Sequence, residues 1–136
     1  MTIKDAEQRT GLGRASIRFY EQEGLISPRR ESNGYRDYSE DDVQALLRIR
    51  LLRALDVPIE EIKRVCSGEA ELGDILRGRS AELGRKQEEY ALRLSVCREL
   101  CESGERFASL DAQRYLDELE RGREQSAILL TPDEPG

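Results

Sequence analysis

Gly11-Leu12-Gly13 separates two short stretches with helical spacing, and a turn this tight leaves the helices on either side little choice of arrangement. Thr2 stands three residues before Asp5, as a capping pair does, so a helix of about two turns is expected to open there and stop at Thr10-Gly11. A second helix is expected from about Arg14 to Glu23, with Ile17 and Tyr20 on one stripe and Gly24 closing it. Two short helices joined by a glycine turn read as helix-turn-helix.

The next segment contains Asn33-Gly34, a hairpin signal in which both turn positions favour positive φ, with tyrosines at alternating positions in polar flanks. A two-stranded ribbon, or wing, is therefore expected after the second helix. Ser39-Glu40-Asp41-Asp42 forms another capping box and opens a helix to about Leu55, with Val43, Leu46, Leu47, Ile49, Leu51, Leu52 and Leu55 as a wide apolar face. Asp56-Val57-Pro58 breaks it. Pro58 suits the first position of a fourth helix that turns Ile59, Ile62 and Val65 inward and ends near Gly68.

Gly68, Gly73 and Gly78 make residues 67–79 read as a hinge with at most a short turn. Beyond it a long helix is expected from about Ser80 to Ser103. Leu83, Tyr90, Cys97 and Gly104 at one heptad position, and Gln87, Leu94, Cys101 and Ala108 at the other, form an imperfect seam too narrow for a lone helix. The economical partner is the same helix of a second copy, which makes Leu83, Tyr90, Leu94, Cys97 and Cys101 the candidate dimerisation residues. Ser109 is placed to cap a last short helix to about Leu119, with Ala112, Tyr115, Leu116 and Leu119 inward, and residues 123–136 read as a frayed tail. The expected organisation is 1–66 winged helix-turn-helix, 67–79 hinge, 80–108 dimerisation helix, and 109–136 short helix and tail.

Composition narrows the function. The 136 residues contain no histidine, so the commonest general base and metal ligand are both missing, and no carboxylate, lysine or thiol constellation replaces them; an enzyme is not expected, nor a cofactor. The apolar run Ala127-Ile128-Leu129-Leu130 is far short of a membrane span, and the first residues lack a signal-peptide core. With three cysteines in no disulfide framework, a cytoplasmic protein is expected. Net charge is −6, but residues 1–65 hold 12 basic and 12 acidic side chains against 10 and 16 in residues 66–136. The acidic excess lies wholly in the second half, so a basic face on the first is compatible with it.

Helix-turn-helix followed by a basic wing fits duplex DNA, the second helix entering the major groove while the wing straddles the backbone. The candidates on the helix, on the face opposite Ile17, are Arg14, Ser16, Arg18 and Tyr20; those in the wing are Arg29, Arg30, Asn33, Gly34, Arg36 and Tyr38. Arginine pairs bidentately with guanine edges, and hydroxyls meet phosphates. Each arginine has the alternative of a solvated surface charge, and Tyr20 and Tyr38 that of core residues with the hydroxyl at the rim.

The runs Ile3-Lys4-Asp5-Ala6, Thr10-Gly11, Ile17-Arg18-Phe19-Tyr20-Glu21-Gln22-Glu23-Gly24-Leu25-Ile26-Ser27-Pro28 and Asn33-Gly34-Tyr35-Arg36-Asp37-Tyr38-Ser39-Glu40-Asp41-Asp42 resemble the DNA-binding domain of MerR-type transcription regulators. The resemblance covers residues 1–65 closely and the long helix only in kind. It implies an all-α chain with a small β-wing, homodimeric through an antiparallel coiled coil of the long helices. It further implies binding to double-stranded promoter DNA at a pseudo-palindrome in an overlong spacer, which is bent and untwisted so that RNA polymerase, an indirect partner, can use it. Arg18, Tyr20 and Arg36 match the family's DNA-contacting positions. Ala15 departs from the basic residue many members carry, which shifts specificity toward DNA deformability.

Cys97 and Cys101 lie i, i+4 on one helical face. Members of the family sense thiophilic metals or redox state near the end of this helix, but no cysteine follows Cys101, and a closed zinc site needs four ligands. The two are expected as small core residues of the dimer seam, with a thiol or metal switch as the competing assignment. About 30 residues follow the long helix, too few for a deep enclosed pocket, so the effector stays open. The competing reading of the whole chain is a helical interaction module or anti-activator that has lost specific DNA binding.

Overall fold

The computed structural model describes the backbone of residues 1–130 and the side chains through Glu124. It is helical apart from one two-stranded antiparallel ribbon: α1 Ile3–Thr10, α2 Arg14–Gln22, β1 Arg29–Arg30, β2 Arg36–Asp37, α3 Glu40–Ala54, α4 Ile59–Cys66, α5 Leu72–Ser103, a 3-10 turn Phe107–Ser109, and α6 Ala112–Leu130. Two compact units divide it, Met1–Arg79 and the residues from Ser80 onward.

In the first unit the capping chemistry read from the sequence sets the helix starts. Thr2 Oγ1 accepts from the Asp5 N–H while Asp5 accepts from the Thr2 N–H, and Ser39 and Asp42 repeat the exchange at α3. Gly11 closes α1 at φ 74°, a left-handed conformation that costs a Cβ-bearing residue about 1–2 kcal/mol. Pro58 sits one position outside α4 as its N-cap, not as its first residue.

Ala6, Ile17, Tyr20, Ile26, Tyr38, Leu46, Ile49, Val57 and Ile62 form one buried cluster that draws on α1 to α4 and on the loops between them. Val43 is buried as expected, but Leu51 of the same helix and Leu55 at its C-cap are exposed: the apolar face of α3 is narrower than its leucine content implies. Ile59 and Val65 are half-buried beside the fully buried Ile62.

The wing departs from a two-residue hairpin. Glu31 C=O accepts from Gly34 N–H at 2.8 Å, and Gly34 alone has positive φ, 86°, while the Asn33 side chain accepts from the Tyr35 N–H at 3.1 Å. Asn33 thus works through its side-chain oxygen, and the loop is longer by one residue than a primed turn. Met1 lies beside the end of β2, its carbonyl accepting from Tyr38 N–H at 2.8 Å.

Helix α5 begins at Leu72 and runs through Gly73 and Gly78, so the stretch expected as a hinge is largely helical. Each helical glycine costs about 1 kcal/mol relative to alanine, offset here by Ile75, which packs against the first unit's core. In the second unit Val96 of α5 and Tyr115 of α6 are buried, and Arg114 reaches Glu99 at 3.0 Å. Leu119 is half-buried as expected, whereas Ala112 and Leu116 are exposed. Helix α6 runs past Leu119 to Leu130, so the part of the expected tail up to that residue is helical, and residues 131–136 lie outside those described.

Candidate nucleic-acid interface

Helix α2 presents Arg14, Ala15, Arg18, Phe19 and Gln22 to solvent. Its buried stripe is Ile17 and Tyr20, three residues apart and therefore neighbours on one face of a 3.6-residue helix, with Ser16 half-buried at the edge. This corrects the expected exposure of Tyr20, which is 7% exposed and packs in the core, while Phe19, not singled out from the sequence, is 43% exposed on the open face. Gly13 is the N-cap of the helix and supplies no side-chain cap, and the first turn holds no acidic residue, an end that suits an anion.

Arg14 pairs with Glu7 of α1 at 3.2 Å on the surface, a contact of the kind worth about 0–1 kcal/mol and easily exchanged. Arg18 makes no ion pair among the described residues. In the wing Arg29 is exposed and likewise without an ion pair among the described residues, and Arg30 donates to the Gly34 carbonyl at 3.2 Å. Arg36 is half-buried, and its Nε donates to both carboxylate oxygens of Glu21 on α2, at 2.7 and 3.0 Å. Arg30 Nη2 lies 3.9 Å from the same carboxylate. The wing therefore stands directly beside the second helix.

Tyr38 is 1% exposed, a core residue, and its hydroxyl has no hydrogen-bond partner among the described residues. Burial pushes its pKa up, with the Glu21 carboxylate adding to that and Arg36 and Arg18 opposing it. Of the two readings of Tyr20 and Tyr38, the structure places both rings in the core. Glu21 was missed: it sits at the edge of the buried stripe, and its partner is 15 residues away on another element, beyond any local spacing rule.

In the second unit Leu83, Tyr90 and Leu94 are 41%, 63% and 50% exposed, and Cys97 and Cys101 are exposed free thiols. The five share the α5 face left open, while Val96, Leu92 and Leu100 occupy more buried positions. Among the described residues no three or more Cys, Asp or Glu side chains are grouped to hold a metal ion. Among the described residues no helix is long and apolar enough to cross a membrane.

Residues 1–69 match the family model described as MerR HTH family regulatory protein. The chain is 37% identical over 93 residues to the HTH-type transcriptional regulator HmrR of Rhizobium leguminosarum bv. viciae, covering 63% of this chain and 72% of that protein. It is 40% identical over 62 residues to the HTH-type transcriptional regulator CueR of Salmonella typhi, 45% of each chain. It is 41% identical over 66 residues to the Heavy metal-dependent transcription regulator 2 of Rhizobium meliloti, 48% of this chain and 45% of that one. The matched stretch thus spans under half of the last two relatives. A glycine-turned helix pair, an arginine-bearing wing beside it and a family match over half the chain lead to one assignment: this chain belongs to the MerR family of helix-turn-helix regulatory proteins.

Proposed function

We propose that the chain is a cytoplasmic, homodimeric transcription regulator that binds a pseudo-palindrome in promoter DNA and distorts the spacer for RNA polymerase. The observation that carries the reading is the adjacency of the wing to α2: Arg30 and Arg36 stand beside Glu21, on the helix that carries Arg14 and Arg18, and Arg29 is on the same ribbon. Five guanidiniums spread over a helix and a ribbon match the two jobs of a winged motif, base reading in the groove and phosphate contact alongside it. Arg18 reads bases and Arg29 meets phosphate. Tyr20 and Tyr38 support these positions from the core. The net charge of −6 is no obstacle, because the acidic excess belongs to the second half of the sequence.

Dimerisation through the open α5 face supplies the two-fold symmetry a pseudo-palindrome requires. One of the relatives is named as heavy-metal-dependent. For this chain we assign Cys97 and Cys101 to the seam as small apolar residues.

The test is selection of source-genome fragments by the purified protein at near-physiological salt, followed by sequencing. Recovery of a pseudo-palindrome in a long promoter spacer supports the proposal. Sequence-blind, salt-sensitive retention, or none, overturns it in favour of an interaction module without specific DNA binding.

A further inference from the structure

We infer that Glu21 is a positioning residue for DNA recognition: its carboxylate fastens the wing to the recognition helix and aims the Arg36 guanidinium at the phosphate backbone. The inference rests on the DNA-binding reading above. Each strand of the wing has two residues, too short to hold a geometry without outside anchors. Tyr38, buried in the core just past β2, is one anchor, and the Met1 ammonium, which donates to Asp37 Oδ1 of β2 at 2.6 Å, is a second. The third, and the one that stands on the recognition helix, is Glu21, with a side chain only 19% exposed, which takes Arg36 Nε on both oxygens at 2.7 and 3.0 Å and lies 3.9 Å from Arg30.

The way Arg36 is held decides what it can do. It donates to Glu21 through Nε alone, and among the described residues its two Nη groups make no hydrogen bond. The guanidinium is therefore gripped along one edge and keeps its terminal donors for an oxyanion, the fork geometry that suits phosphate. A carboxylate at this place also repels the duplex. If charge alone mattered, removing Glu21 would strengthen binding to every DNA; if it positions Arg36, removal weakens binding to the specific site only.

Glu21→Gln is nearly isosteric and removes the charge. Its affinity is measured on the duplex recovered by the wild-type chain and on a scrambled duplex of equal length, in wild-type and Arg36→Ala backgrounds, with the melting temperature alongside. Specific affinity is expected to fall about tenfold, as for loss of one charge-assisted pairing, while affinity for the scrambled duplex holds or rises. In the Arg36→Ala background the same substitution is expected to change specific affinity by less than about twofold, because the partner through which it acts is gone. A parallel gain on both duplexes overturns the inference, as does an equal loss in both backgrounds, or a parallel loss on both duplexes with a fall in melting temperature. Failure of the wild-type chain to prefer any duplex overturns the DNA-binding reading and this inference with it; the other outcomes overturn this inference alone.

Discussion

Arg50 of α3 donates from Nη1 to the carbonyl of Thr10 at 2.6 Å, capping the end of α1 from a helix 40 residues away. The same guanidinium lies against Gly11, where a Cβ would come within 2.7 Å of Nη1. The helix-turn-helix corner thus needs glycine for two reasons, the left-handed φ and the space. Gly11→Ala is expected to destabilise the chain by about 1–3 kcal/mol, roughly 4 to 20 degrees in melting temperature for a unit of this size. Arg50→Ala exposes the Thr10 carbonyl and costs about 1 kcal/mol. Since that change also removes the clash, the double variant is expected to melt above the sum of the two losses. Strict additivity in thermal melts would refute the shared site.

Acid should act on the cap of α1 and on the link between α1 and α3. Arg9 donates to both oxygens of Glu40, at 2.6 and 2.9 Å, and with help from Gln44 these bonds hold the Glu40 carboxyl below its ordinary 4.5. Asp5 is held below 3.8 by the Thr2 N–H that it accepts. A carboxyl with a depressed folded-state pKa contributes stability above its unfolded pKa and loses it as pH falls through the folded one. Melting temperature should therefore decline below about pH 4.5, and Glu40→Gln should be less stable at neutral pH but fall less steeply there. The pair is exposed, so added salt shrinks the difference. Parallel pH profiles for the two proteins would remove Glu40 from the account.

Much of the first unit was legible because its determinants are local. Thr2 with Asp5, Ser39 with Asp42, Gly11 and the Ile17–Tyr20 stripe act over one helical turn, and each does what its spacing dictates. The errors arose where a distant partner decides. Gly73 and Gly78 read as a hinge, yet α5 continues through them while Ile75 finds the core. Asn33-Gly34 read as a two-residue turn, but the Asn33 side chain takes the Tyr35 N–H and the loop closes at Glu31. Glu21 is silent in the sequence, since nothing in α2 announces an arginine that arrives from β2.

The unpaired arginines separate base reading from phosphate contact. Arg18 stands on the open face of α2 and Arg29 on β1. Arg18→Ala is expected to weaken the specific duplex by about 5- to 150-fold, the loss of one bidentate base contact, with little change on scrambled DNA. Arg29→Ala is expected to weaken both duplexes alike and to flatten the dependence of affinity on salt by about one unit in log–log slope. Titrations at several salt concentrations distinguish them, and an Arg18 effect that is equal on both duplexes would assign it to the backbone.

The open face of α5 predicts its own occlusion. Leu94 is half-exposed between Tyr90 and Cys97, the position at which a charge would be forced into an apolar seam if two copies pair there. Leu94→Glu should convert a dimer in sedimentation equilibrium into a monomer, and should lower affinity for the full pseudo-palindrome by about 10²-fold or more, since the two half-sites no longer act together. The thiols report the same event independently. Cys97 and Cys101 flank this seam whereas Cys66 lies at the end of α4, all three being exposed in the single chain. Maleimide labelling followed by mass spectrometry should find Cys97 and Cys101 slowed relative to Cys66 as protein concentration rises. In Leu94→Glu that protection should vanish, and labelling that stays equal at all three cysteines at every concentration would place the dimer contact elsewhere.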